Sequence, residues 1–411
     1  MTGRIRQQKG IIMNQPKQSH DTQRRHDTRR RQPRERPRPR MRLAGILDEA
    51  VRNLATGTSH ACGMALTLAF LLLLCAGADL MAVTKIQREA DAFVAAGGST
   101  TVITYTGRID GTACDRLASL DGVIAAGATR ASQTKLTFAA LPSTGVPMYE
   151  ATPGAIGVFR NSTANAREAR STTVSDMNGV WLSGEAAAPL AARAGSRLAL
   201  RDERTLDVAG VYEWPDDGRQ SGYSYAAVTP VPAGYGGLFD QCWVKSWPVP
   251  ENIESLLRVT TVGDATGTQE RPMVSQLNTS LGRTFDAAAM YRGRLTTWAP
   301  IVAGVVALIA GFVSVWRRRL ELASALHCGV PKPAMVVQIL VETAAWAIAA
   351  TLMSVAEFTW TWLENTRTDA AVLTTALLRV PAAGYAGVMT GALIGALLIR
   401  ERHLFRYFKT R

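Results

Sequence analysis

Four apolar blocks, each about the length of a membrane crossing, set the plan of this 411-residue chain. They run over 61–83, 298–316, 334–356 and 380–399. A helix rises about 1.5 Å per residue, so roughly 20 residues cross a hydrocarbon layer about 30 Å thick. A cleavable signal peptide has a shorter apolar region nearer the start, so the first block reads as a retained span. Between the first two blocks the pattern changes. Residues 84–297 break into short β-type runs separated by turns. Thr100–Tyr105, Lys135–Ala139, Ala155–Phe159 and Arg204–Trp214 read as strands, Gly184–Ala194 and Pro250–Leu257 as helices. Residues 84–96 and 271–297 have helical composition and abut the first two spans, which predicts helical stalks. The region lacks regular strand–helix–strand alternation, so its predicted class is α+β. Upstream, Leu43, Ile46, Leu47, Ala50 and Leu54 share one helical face, which predicts an amphipathic helix within 41–60 lying along the membrane surface.

Charge supplies the orientation. The formal charge of +13 resembles that of a nucleic-acid binder until it is partitioned along the chain. Residues 1–60 hold 15 Lys and Arg against 5 Asp and Glu, whereas residues 84–295 hold 20 against 21. No basic face is left in the folded region for nucleic acid. Basic clusters instead follow the second block at Arg317-Arg318-Arg319 and the fourth at Arg400-Glu401-Arg402. Lys and Arg are retained on the cytoplasmic side, so both termini and the 317–333 loop are predicted inside. Residues 84–297 and a short 357–379 loop then lie outside the plasma membrane. Residues 1–40 and 400–411 are basic cytoplasmic tails, the first too polar to fold. Attraction to anionic headgroups and a purely topological role both fit it.

Candidate chemistry is sparse. No Gly-Lys dipeptide occurs, so there is no P-loop, and neither HExxH nor GxSxG is present. The histidines, His20, His26, His60, His327 and His403, all fall outside 84–297, which argues against an external metalloprotease or His-based hydrolase. The predicted protein is therefore not an enzyme and binds no cofactor or metal directly. Cys114 and Cys242 are the two cysteines of the outer region, and an oxidising exterior permits them to pair. Tyr212, Trp214, Tyr223, Tyr225, Tyr235, Trp243 and Trp247 cluster late in that region, as core or as a binding surface. Within the spans Glu342 stands out, because a membrane carboxylate is costly; a functional and a structural hydrogen-bonding role are both open. Arg379 is placed to snorkel to the outer interface and Asp79 to reach water there.

Residues Arg317 to Gly329 have helical composition, with Gly329 as a stop and Pro331 and Pro333 beyond. On periodicity alone a plain connecting loop is the simpler reading. The segment nevertheless resembles the loop after the second span in the FtsX/MacB-like family of ABC transporter permeases. That loop reads roughly R-R-x-E-[IL]-[GA]-x-x-x-A-x-G-A-[ST], followed by an apolar helix with a Glu; Glu321, Leu322, Ala323, Gly329 and Glu342 match. Asp48-Glu49-Ala50-Val51-Arg52-Asn53-Leu54 is similar to the family's "EA-x-RNL" entry helix. Val180-Trp181-Leu182-Ser183, with Ala192, Gly195 and Leu206–Tyr212, is similar to its MacB-type periplasmic core. Leu326-His327-Cys328 departs from the usual Arg-Ala-Leu.

The resemblance implies four transmembrane helices with an extracytoplasmic α+β MacB-like periplasmic core domain between helices 1 and 2. It implies a dimer of two permease chains, identical or not, that recruits separate ABC ATP-binding subunits, so ATP acts only through the partner. Arg319, Glu321, Leu322, Ala325, Leu326, Gly329 and Val330 would form the coupling contact, and Glu49, Arg52, Asn53 and Leu54 the entry helix. The implied function is export or mechanotransmission. A non-transport receptor, or a regulator of a cell-envelope enzyme, is the alternative.

Overall fold

A computed structural model of the chain describes residues 42–57, 59–263, 271–365 and 370–403. The tail over 1–40 and most of that over 400–411 therefore lie outside the described residues. Four helices are long and apolar enough to cross a membrane, and a mixed α+β sheet domain lies between the first two in the chain. In order, the helices are α1 Leu43–Ala55, α2 Ala61–Ala95, α3 Gly111–Arg116, α4 Pro153–Arg160, α5 Gly184–Ala187, α6 Ile253–Arg258, α7 Ala287–Gly293, α8 Ala299–Arg317, α9 Arg319–His327, α10 Lys332–Asn365 and α11 Ala370–Leu398.

The long apolar helices are α2, α8, α10 and α11. α8 and α11 pack backbone to backbone, because glycines remove the side chains between them. A Cβ on Gly391 would sit 1.9 Å from the Leu308 carbonyl oxygen, and one on Gly311 2.2 Å from that of Val388. Small residues permit such approach where lipid supplies no hydrophobic drive. α2 has 35 residues, about 50 Å at helical rise, and so continues well beyond a hydrocarbon layer of about 30 Å. In place of the expected 357–379 loop, α10 and α11 continue as helices to Asn365 and from Ala370. Neither extension contains Gly or Pro, so Thr and charged residues end the apolar pattern without ending the helix.

The strands are β1 Thr100–Ile109, β2 Val123–Thr137, β3 Gly145–Ala151, β4 Val180–Ser183, β5 Arg197–Ala199, β6 Thr205–Tyr212, β7 Ala227–Pro230, β8 Phe239–Ser246 and β9 Met273–Gln276. They form one sheet in the order β5-β6-β4-β7-β3-β2-β8-β1-β9. The β3–β7 and β4–β6 pairs are parallel and the others antiparallel. The expected strand at Ala155–Phe159 is instead the middle of α4. All five residues are buried, so no alternation separates strand from helix, while Pro153 presets the first helical turn. The expected helix over Gly184–Ala194 stops early: α5 passes into a 3-10 turn at Ala188–Leu190, and Ala191 adopts φ 48°. The second stalk also differs. Met273–Gln276 pairs with β1, Thr279–Gly282 makes a turn, and only Ala287–Gly293 is α-helical, followed by a 3-10 turn at Leu295–Trp298.

Phe159 of α4 lies at the centre of an aromatic core, its ring 5.2 to 5.8 Å from Tyr212, Trp214, Tyr223 and Trp243. Tyr225 borders a neighbouring cluster, Tyr235 is exposed, and Trp247 packs on Phe93 at the end of α2. Cys114 of α3 and Cys242 of β8 form a buried disulfide with Cα atoms 5.9 Å apart.

Candidate functional site

Glu342 lies near the start of α10, where α1 and α9 also converge. Its side chain is 4% exposed and accepts three hydrogen bonds, each from a different segment or turn. Asn53 Nδ2 donates from α1 at 2.7 Å, Arg318 Nη1 from the α8–α9 joint at 2.5 Å, and Gln338 Nε2 from one turn earlier in α10 at 3.2 Å. Burying a carboxylate without partners is prohibitive, so these donors determine where the three segments meet. Arg318 forks, with Nε and Nη2 also donating to Glu321 at 3.1 and 2.9 Å. The one guanidinium thus joins a buried carboxylate of α10 to a half-exposed carboxylate of α9.

Apolar contacts surround this polar knot. Ile46 and Ala50 bury on the α1 face that also carries Asn53. Leu322 and Ala323 pack with Val315, Met335, Ile339, Ala392, Ala396 and Ile399. A cavity of about 20 Å³, lined among others by Ser59, Ser314, Arg318, Glu342 and Thr343, has room for about one water molecule. Among the described residues there is no group of His, Cys, Asp or Glu able to hold a metal.

The expected site residues distribute unevenly over this junction. Asn53 and Glu342 are bonded directly to each other, and Glu321 is reached through Arg318. Leu322 is buried, and Leu326 and Val330 pack against the same cluster. Ala325 and Gly329 serve the helix end: Val330 N–H donates to Ala325 O and Gly329 N–H to Leu326 O, both at 3.1 Å. With Gly329 at φ +94°, this is a Schellman stop. Arg319 lies over the Trp316 ring at 5.4 Å. Arg52 pairs with Asp48 at the surface, while Glu49 and Leu54 are half-buried. The residue missed from sequence is Arg318. It sits inside Arg317-Arg318-Arg319, and a basic run signals topology before it signals any one contact.

A second buried carboxylate corrects the expectations for Asp79 and Arg379. Asp79 of α2 has no exposure and accepts from Arg294 Nε at 3.1 Å and from Arg379 Nε of α11 at 3.1 Å. It does not reach water, and Arg379, itself partly exposed, pairs with it, because a carboxylate within an apolar helix is strongly stabilised by two guanidinium groups.

No protein-family model and no curated protein matches this sequence. Among solved structures, the crystal structure of the periplasmic region of MacB from Actinobacillus actinomycetemcomitans is similar over 45% of this chain and 91% of that one, with 14% identity and a TM-score of 0.31.

Proposed function

We propose that the chain is the membrane subunit of an FtsX/MacB-like ABC transporter. In this reading it passes ATP-driven motion of a separate ATPase subunit to its sheet domain, for export or for mechanotransmission. The observation that carries the reading is the Glu342 junction. A small helix between two spans, α9, and a helix entering the first span, α1, are both tied to one buried carboxylate of α10. A partner that displaced α9 would therefore move α1 as well, and α1 leads through a short turn into α2. α2 then continues unbroken to within five residues of β1. Both termini, α1 and α9 lie in the cytoplasm in this proposal, on the evidence of the basic clusters, and the sheet domain lies outside the plasma membrane. A second permease chain completes the assembly, and ATP is bound only by the partner.

The exposed surface of α9 is the proposed contact, with Glu321 and the polar edge around Ser324 offered to the partner. Mild-detergent purification of the tagged chain, followed by mass spectrometry, should recover a P-loop ATPase. Glu321→Arg, or Ser324→Pro in the middle of α9, should abolish that recovery, or leave the ATPase bound with its hydrolysis no longer linked to function, while the chain still inserts. A preparation with no ATPase, under conditions that preserve known complexes of this kind, would favour a receptor or an envelope-enzyme regulator acting through the sheet domain. Normal binding and normal coupling in both variants would remove α9 from the contact.

A further inference from the structure

Among the described residues the Asp79 cluster carries more positive charge than it balances. One carboxylate faces two guanidinium groups, Arg294 and Arg379, in a chain segment read as lying within or at the edge of a bilayer. Asp79 has no exposure and the Arg294 side chain only 5%, so the buried half of the cluster is shielded from solvent. The donor count points the same way. Arg294 uses Nε on Asp79 and Nη1 on the Tyr291 carbonyl, but its buried Nη2 has no acceptor among the described residues. Thr296 Oγ1, two residues on, is buried and also lacks a partner. Arg379 donates through Nε and Nη2 to Asp79, and its side chain, 28% exposed, is the part of the cluster that opens outward. Arg379 Nη2 also approaches the Thr296 carbonyl at 3.5 Å, so the exposed guanidinium and the unpaired hydroxyl belong to one locality.

Buried donors without acceptors and an unbalanced cation are costly in a low-dielectric setting. An anion with several acceptor oxygens would relieve both. We propose that Arg379, Arg294 and Thr296 form a phosphate-binding site at the edge of the membrane, occupied by the phosphate of a lipid headgroup or by free phosphate. A guanidinium suits a phosphate because its planar fork presents two parallel donors to two oxygens. The location suits a headgroup on the span reading given above, in which Arg294 lies just before the second apolar span and Arg379 just before the fourth, at their outer ends. Asp79 is the positioning residue. It holds both guanidinium groups in place through their Nε atoms and leaves a surplus charge for the ligand.

The test uses the full chain in mild detergent. Native mass spectrometry should show phosphatidylglycerol retained over phosphatidylcholine, and thermal unfolding should show protection by inorganic phosphate, compared with chloride at equal ionic strength, if free phosphate also enters. Arg379→Gln removes the outward guanidinium and leaves Asp79 paired one to one with Arg294. It should weaken retention about tenfold or more, the scale of a charge-assisted hydrogen-bonded pair. Arg379→Lys should restore part of it, which guards against a variant that merely folds poorly. Retention of phosphatidylglycerol without a phosphate effect assigns the site to a headgroup, and the reverse assigns it to free phosphate. Absence of both effects, or equal retention by wild type and Arg379→Gln, overturns the proposal. None of these readouts depends on an ATPase partner.

Discussion

Lys245 shows how far a single buried side chain can set the behaviour of the sheet domain. It lies on β8 with 1% exposure and donates through Nζ to the carbonyls of Asn161 and Ala164 at 2.6 and 2.7 Å. Burial, and then the nearby Arg219 guanidinium, push its ammonium down from an ordinary value near 10.5 to about 7. Below pH 7 the folded and unfolded states both carry the proton, and the full cost of burying the charge is present. Between pH 7 and 10.5 the unfolded chain binds more protons than the folded one, so stability rises with pH, and above 10.5 it levels off. Replacing Lys245 by Met should remove that rise, which thermal unfolding of the full-length protein at several pH values would detect. An unchanged pH profile would mean the amine is not buried as a cation. Such a residue is hard to read in advance. Its neighbours Trp243 and Val244 mark a strand, but only the fold places Arg219 and the 161–164 carbonyls beside it. Glu342 was legible, because a carboxylate in an apolar block is conspicuous. Its partner Arg318 was not, because three consecutive arginines carry one collective message about topology.

At the scale of elements, apolar length was the dependable signal and local period the weaker one. The four long helices follow from composition, since nothing but a helix satisfies its own backbone across lipid. Their ends do not, because the features that end an apolar block, such as Thr374 and Thr375 in α11, do not end a helix. In the sheet domain the errors concentrate where tertiary contacts decide. The run Ala155–Phe159 is buried on every side and so shows neither period. The residues around Met273 gain strand structure only because β1 offers an edge to pair with. The glycine seam between α8 and α11 allows a sharp test of this scale. Gly391→Leu would drive a side chain into the Leu308 carbonyl and should destabilise the protein by about 1–3 kcal/mol, or separate the two helices outright. Gly77 of α2 faces open space, so Gly77→Ala should be neutral or stabilise by up to about 1 kcal/mol. Thermal unfolding of the pair in one detergent measures both, and equal effects would mean the seam is not closely packed.

Across the whole molecule the two carboxylates buried among the long apolar helices divide the labour. Asp79 ties α2 to α11 and to the turn before α8, whereas Glu342 ties α1 to α10 and to the head of α9. Between them α2 runs as one helix, and the carbonyls of its last residue and of the next are held by the sheet domain: Arg219 Nη2 donates to Ala95 O and Asn278 Nδ2 to Ala96 O. Motion imposed at α9 thus has a continuous covalent and hydrogen-bonded route toward β1, provided the Glu342 junction transmits it. Glu342→Gln keeps an acceptor but removes the charge, leaving Arg318 paired to Glu321 alone, and should cost about 1–3 kcal/mol. Asn53→Ala removes the α1 bond to the other oxygen of the same carboxylate. Because loss of the charge weakens the same bond that Asn53→Ala removes, the combined cost should fall short of the sum. Hydrogen exchange then locates the effect. In Glu342→Gln, exchange should rise together in 43–55 and 319–327, while β1, β2 and β8 keep their protection. A rise confined to α10 would mean that Ile46, Ala50 and Leu322 hold α1 and α9 by apolar packing alone. In that case the carboxylate would stabilise a helix without linking the entry helix to the surface where the proposed partner acts.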